Sequence, residues 1–237
     1  METGITPFML HRVILRLHTL GDNPLFRLAA LICGAGTVAG VTLWVGGVDI
    51  ALQSWLWDHY NQDFNNHMRI LGELGKGTAQ AGMILAFGAG WAVWSYMRSG
   101  GISAGAKACL MAIPVFLMSG IVNWLLKFVI GRPRPKEFLM NGGDPWGLEP
   151  FSFKATFWSF PSGHACSTWA IAVWLMLIFP KARIPLFVVA VVLSASRFLA
   201  ITPHYLGDVV AGGAVGAAVA LVCFDVAKRR GMVCRLG

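Results

Sequence analysis

The sequence predicts an all-α, polytopic membrane protein, with six transmembrane helices in a single bundle and an interfacial helix between the first two. Two observations carry that fold class. Of the 237 residues, 56% are hydrophobic and 13% are charged, with a mean hydropathy of +0.63; soluble domains carry about 25% charged residues. Six apolar runs also approach the roughly 20 residues that a helix needs to cross a bilayer. The 28 glycines and 10 tryptophans fit the same class. Glycine packs membrane helices closely, and tryptophan sits at membrane interfaces.

The runs follow in order along the chain. They cover residues 28–48, 79–97 and 108–130, the last ending at Gly131-Arg132-Pro133-Arg134-Pro135. The fourth, 165–179, is short and is extended by the turn at Gly163-His164; the fifth and sixth cover 184–201 and 205–226. Segment 49–69 carries Leu52, Trp55, Leu56 and Tyr60 at helical spacing opposite Asp58, Asn61 and Gln62. That pattern reads as an amphipathic helix lying at the interface, either as packing or as a gate. The loop 136–158 is broken by Gly142, Gly143, Pro145, Gly147 and Pro150. No repeat or linker interrupts the chain, so 1–237 reads as one domain with its chemistry within 127–208.

A net charge of +8 raises the question of nucleic acid, but no Lys/Arg stripe forms and no nucleic-acid partner is expected. The basic residues instead sort by side. With the N-terminus inside, Arg12, Arg16, Arg27, Arg98, Lys107, Lys181, Arg183, Lys228, Arg229, Arg230 and Arg235 fall on the inner segments. Arg69, Lys76, Lys136 and Lys154 fall outside, with Lys127, Arg132, Arg134 and Arg197 near the outer span ends. The asymmetry predicts both termini in the cytoplasm and the unusual polar residues at the outer face. Residues 1–27 lack a signal-peptide pattern, so no cleavage is expected. Cys33, Cys109, Cys166 and Cys223 lie in apolar spans as small hydrophobes, and no metal-binding Cys/His spacing occurs.

Three polar clusters interrupt the apolar chain. Ser159-Phe160-Pro161-Ser162-Gly163-His164 precedes the fourth run. Pro161 stops any preceding helix, Ser162 suits an N-cap, and Gly163 lets an oxyanion approach free backbone N–H groups. His164 adds a proton donor near neutral pH. An ordinary capped turn is the bland alternative. Lys127 lies in apolar sequence with Arg134 seven residues on, as a snorkelling anchor or as a phosphate ligand. Arg132 and Arg134 sit between prolines, and two or three such cations make a pocket for phosphate. Arg197 is a charge embedded in an apolar run, which marks a site by default. His204 and Asp208, spaced i, i+4, share a helical face. They form either a buried structural pair or an imidazole oriented for attack.

These motifs together resemble the type 2 phosphatidic acid phosphatase superfamily, which includes bacterial lipid phosphatases and vanadium haloperoxidases. Lys127 to Pro135 fits its first motif in residue type and spacing, and Pro161-Ser162-Gly163-His164 fits the second. Ser196-Arg197, His204 and Asp208 fit the third, with six residues between Arg197 and His204 where the family has five. The resemblance implies that His204 is the phosphoryl-accepting nucleophile, oriented by Asp208. His164 is implied as the acid that protonates the leaving oxygen and then activates water. Lys127, Arg134, Ser162, Gly163 and Arg197 are implied to hold phosphate oxygens. Fixed cations supply the charge neutralisation, so no metal or other cofactor is expected. The implied activity is that of an integral lipid phosphatase acting at the periplasmic face of a bacterial inner membrane through a phosphohistidine. Its partners would be a lipid phosphate or diphosphate and the surrounding membrane lipids, with the oligomeric state open. Substrate candidates are undecaprenyl diphosphate, phosphatidylglycerophosphate, phosphatidate and lipid A 1-phosphate. A lipid phosphotransferase is the enzymatic alternative, and a lipid-phosphate binder or transporter the non-enzymatic one. A vanadium peroxidase is disfavoured, since that fold is soluble.

Overall fold

The computed structural model describes residues 23–201 and 203–233. Arg12, Arg16 and Arg235 of the orientation count, and most of the stretch read for a signal peptide, lie outside the described residues. Within them all regular structure is helical and no strand occurs. The α-helices are α1 Pro24–Val45, α2 Val48–Asp58, α3 Gln62–Leu74, α4 Gly77–Ser99, α5 Ala104–Leu110, α6 Ala112–Ile130, α7 Pro135–Asn141, α8 Gly163–Ile178, α9 Arg183–Leu199 and α10 Leu206–Arg229.

Four stretches among the described residues are long and apolar enough to cross a membrane: Pro24–Val45, Ala104–Ile130, Pro180–Leu199 and Leu206–Arg229. The other two predicted spans are helical but differ in kind. α4 has 23 residues and falls short in apolarity, with Gln80 and several glycines in its first half. α8 is apolar but has only 16 residues. That is roughly 24 Å of helix against a hydrocarbon core of about 30 Å, so its start, which carries Gly163 and His164, is set back from the end of a full span.

The segment 49–69, predicted as one amphipathic helix, is two. Asn61 breaks it: its side chain accepts from the Phe64 N–H at 2.9 Å and starts α3 as an N-cap. The buried face of α2 is also not the expected apolar one. Asp49 and Gln53, spaced i, i+4, are fully buried, whereas Trp55 and Tyr60 are exposed. An outward apolar face suits lipid, and an inward polar face needs partners, which the site supplies.

The bundle is organised on α8 and α10. α10 packs along α1 on one side and α8 on the other, and α8 also meets α6 and α9. Lipid tails give membrane helices no hydrophobic reason to associate, so small residues that allow close backbone approach do the packing. Gly212 and Gly216 of α10 face Ser162 and Cys166 of α8. A Cβ on Gly216 would lie 2.0 Å from the Cys166 carbonyl oxygen, and one on Gly212 would lie 2.4 Å from that of Ser162. Further from the site, Trp174 meets Phe224 edge to face at 5.9 Å. The Trp174 indole N–H donates to the Ala108 carbonyl at 2.9 Å, tying α8 to α5. Large apolar side chains on the outer faces, such as Leu31, Val45, Phe87, Met97 and Ile184, are exposed as a lipid-facing surface requires.

Since neither helix has room at that crossing, Gly216→Leu should destabilise the fold by overpacking, about 1–3 kcal/mol. Thermal unfolding of the detergent-solubilised protein should show a Tm lowered by roughly 5 °C. An unchanged Tm would mean that the α8–α10 crossing does not hold the bundle.

Candidate active site

The polar motifs converge at one end of the bundle, where α6 ends, α8 and α10 begin and α9 ends. On α6, Asn123 and Lys127 are spaced i, i+4 and face the segment before α8. The Asn123 amide donates to the Pro161 carbonyl at 3.2 Å. The Lys127 ammonium donates to the carbonyls of Trp158 and, at 3.3 Å, Ser159. Lys127 is thus buried and does not snorkel to the surface. A lysine and an amide on one helical face position the Pro-Ser-Gly-His turn.

Ser162 occupies the N-cap position of α8, but its hydroxyl makes no capping bond and is buried without a partner. Its backbone N–H donates instead to the Asp208 carbonyl at 2.9 Å, which docks the start of α8 onto α10. The expected side-chain cap is therefore replaced by a contact between helices, and the hydroxyl is left available. Gly163 lies against α6, where an added Cβ would sit 3.1 Å from the Asn123 side-chain oxygen.

The Asp208 carboxylate is the most heavily bonded group of the site. It accepts from the Arg132 guanidinium at 2.6 Å, the Ser159 hydroxyl at 2.5 Å and the Tyr205 backbone N–H at 2.9 Å. His204 Nδ1 lies 3.6 Å from Asp208 Oδ2, within charge-pairing range but beyond hydrogen-bond length. The His204 ring is fully enclosed, and burial draws it down to about 3, with Asp208 opposing the shift. It is therefore neutral at neutral pH.

Arg132, read from sequence alongside Arg134 as a cation for a phosphate pocket, has another role. Its guanidinium is fully buried and bridges Asp208 to Asp49, the latter at 3.0 Å. Two aromatic faces enclose it, Trp44 at 4.4 Å and Tyr205 at 4.1 Å from the ring centroids. Asp49 in turn accepts from the Gly207 N–H at 2.8 Å. Burial raises the Asp49 carboxyl above the ordinary carboxylate range, against the pull of Arg132. Asp49, Asn123 and the pairing roles of Ser159 and Arg132 escaped the sequence reading. The available signal was Asp49, an acidic residue at the very end of an apolar run with no partner in its own segment.

Arg134 and Arg197 are half-buried and line one cavity of about 600 Å³ with Arg69, Glu73, Lys136 and Asn65. The longer spacing before His204 does not turn Arg197 away. After α9 the chain turns through Ile201 in the left-handed region, φ 66°, a strained conformation for a β-branched residue. Gln53 of α2 donates to the Ile201 carbonyl there. Arg197 Nε, Arg134 Nε and His164 Nε2 are all buried without hydrogen-bond partners. Gly72 of α3 gives Arg197 its place, since a Cβ there would meet the guanidinium at 2.6 Å.

The model of the PAP2 superfamily matches residues 108–232. The chain belongs to the PAP2 superfamily. Two curated relatives are lipid A 1-phosphatases, from Rhizobium johnstonii and Rhizobium etli. Each is 37% identical over 120 residues, 51% of this chain and 48% or 50% of the relative. This PAP2 chain thus spans about half the length of the curated relatives it matches. The crystal structure of a transmembrane PAP2-type phosphatidylglycerolphosphate phosphatase from Bacillus subtilis is similar in fold. Its TM-score is 0.59 over 86% of this chain and 94% of that one, at 22% identity. The matched segment 108–232 contains every residue singled out from the sequence motifs, whereas Asp49, Arg69 and Gly72 lie before it.

In a PAP2 member built this way, Arg132→Met should be more damaging than Asp49→Asn. Removing the guanidinium leaves two buried carboxylates unpaired, a loss of about 3–5 kcal/mol. The amide keeps shape and an acceptor for Gly207. Folded yield and Tm in detergent are the readouts, and an Arg132→Met protein as stable as the parent would contradict the pairing.

Proposed function

We propose that the chain is a membrane-embedded lipid phosphatase, one unit over residues 1–237, that removes phosphate from a lipid phosphomonoester or diphosphate. One observation carries the reading. Ser162 Oγ, His164 Nε2, Arg134 Nε and Arg197 Nε are all buried without hydrogen-bond partners. Buried polar groups are ordinarily satisfied, so a cluster of orphaned donors and an imidazole is complementary to an absent, oxygen-rich anion. The reaction is written on the chain's own groups.

In this mechanism Arg134, Arg197, Lys127, the Ser162 hydroxyl and the N–H groups at Gly163 hold the phosphoryl oxygens in line. The lone pair of His204 Nε2 attacks phosphorus, with Asp208 stabilising the imidazolium. The bond from phosphorus to the lipid oxygen breaks, and His164 delivers a proton to that oxygen. His164 then takes a proton from water, which attacks the phosphohistidine and breaks the P–N bond. The lipid tail has a place beneath the site. An apolar cavity of about 410 Å³ between α4, α8 and α9 begins at Leu74, Gln80 and Thr168, with Thr168 one helical turn below His164. The names of the Rhizobium relatives favour lipid A 1-phosphate as substrate, and the Bacillus subtilis protein adds phosphatidylglycerophosphate as a second candidate. The proposed topology has six spans, counting α4 and α8, with α2 and α3 near the outer interface. It keeps both termini inside and the site towards the periplasm of an inner membrane.

Purified protein in detergent should release phosphate from at least one member of a panel of lipid A, phosphatidylglycerophosphate, phosphatidate and undecaprenyl diphosphate, and should do so in excess EDTA. No release from any of them would overturn the reading, and strict dependence on added Mg²⁺ would overturn the metal-free mechanism. His204→Ala should abolish turnover and covalent phosphorus labelling. His164→Ala should be slowed by about 10²–10⁴-fold, with partial recovery on a substrate whose leaving group needs no proton. Label found on His164, or retained in His204→Ala, would exchange the two roles.

The topology has its own test in a cysteine-free background. An impermeant thiol reagent applied to intact cells should label a cysteine placed within 141–147 and spare one placed within 228–233. The opposite pattern would put the site on the cytoplasmic face.

A further inference from the structure

The cavity beside the histidines is larger and more basic than one phosphate requires. Four cations line its volume of about 600 Å³, Arg69, Arg134, Lys136 and Arg197, against the single carboxylate of Glu73. Glu73 is itself paired with Lys76, outside the lining. Arg134 and Arg197 belong to the phosphate cluster already described. Arg69 and Lys136 do not. They come from α3 and α7, both are exposed, and neither has an ion-pair partner among the described residues.

Helical spacing aims the α3 face into this space. Asn65, Arg69 and Glu73 recur at i, i+4, i+8 and all line the cavity. Asn65 is nearly fully buried and anchors this face against the bundle. Arg69, Lys136, Arg134 and Arg197 all line this one cavity, so the two cation pairs face one continuous space. One phosphate dianion at Arg134 and Arg197 leaves Arg69 and Lys136 unneutralised. Guanidinium and ammonium groups held at a cavity wall are ligands for phosphate oxygens.

We infer that Arg69 and Lys136 form a second anion subsite, which takes a second phosphate on the same headgroup as the phosphate to be removed. The inference rests on the phosphatase reading for the position of the first phosphate. Two headgroup chemistries present such a group. In a diphosphate the second phosphate is adjacent, and in a phosphorylated sugar it lies across a ring. Both would prefer this pocket over a lipid carrying one phosphate alone.

The test compares binding of inorganic phosphate, inorganic pyrophosphate and a hexose 1,6-bisphosphate to the full-length protein in detergent at low ionic strength. The parent should bind at least one of the two-phosphate probes more tightly than phosphate. In the double variant Arg69→Gln, Lys136→Gln that preference should fall about tenfold or more. Which probe shows the preference distinguishes the adjacent from the ring-separated source. Lys154→Gln, which removes an exposed cation paired with Glu149 away from the cavity, should keep the preference. A preference absent in the parent, retained in the double variant, or lost equally in Lys154→Gln would overturn the subsite. A parent that hydrolyses no lipid overturns the phosphatase reading while the probe ratio still decides the subsite. A parent that hydrolyses lipid but shows no ratio change sinks the subsite alone.

Discussion

The buried guanidinium of Arg132 is the constraint on which the rest of the site depends. A charge removed from water is costly unless it is paired and its hydrogen bonds are met. Here one arginine is shared between two fully buried carboxylates and enclosed by two aromatic rings. Each of its partners belongs to a different part of the chain. Asp49 begins α2, Asp208 lies in the first turn of α10, Trp44 ends α1, and Tyr205 precedes α10. None can move independently without stranding a charge. The network therefore fixes the height and rotation of α10, and with it the position of His204 four residues before Asp208.

The same network explains why Asp208 is a good support for an imidazole. With Arg132, Ser159 and the Tyr205 N–H already bonded to it, its geometry is set before any ligand arrives. In the proposed reaction such preorganisation removes the need for reorganisation when charge develops on His204. The neighbouring orphaned atoms show the opposite state. Ser162, His164, Arg134 and Arg197 carry unbonded polar atoms in the same space. On the structural side the two carboxylates are bonded, while the Tyr205 hydroxyl is buried without a partner. Arg132 itself keeps two unbonded nitrogens, and the faces of Trp44 and Tyr205 lie over its guanidinium.

Packing and chemistry meet at the crossing of α8 and α10. Glycines at 212 and 216 bring the two backbones together where α8 starts, and the Ser162 N–H bonds to the Asp208 carbonyl across that contact. A larger crossing distance would carry the turn at 162–164 away from His204. The glycine content read as membrane packing is, at these two positions, also what sets the distance between the two histidine-bearing elements. α3 makes a comparable contribution from outside the matched family segment, since it shapes the cavity wall with Arg69 and receives Arg197 at Gly72.

The sequence by itself determined the helical membrane class, because apolar run length and charge depletion are properties of consecutive residues. It also determined the motif residues Lys127, Arg134, Ser162, Gly163, His164, Arg197, His204 and Asp208 as a set, because their types are unusual in apolar surroundings and their spacings are local. Tertiary structure alone decided what each does to its neighbours. Arg132 and Arg134 are two residues apart and chemically alike, yet one is consumed by internal carboxylates and the other opens onto a cavity. Asp49 pairs with a residue 83 positions away, and no local pattern encodes such a partner. The break at Asn61, the inward polar face of α2 and the meeting of Arg69 with Arg197 have the same cause. Burial and pairing are set by which helices adjoin, and a single chain read in order contains the faces of its helices but not their neighbours.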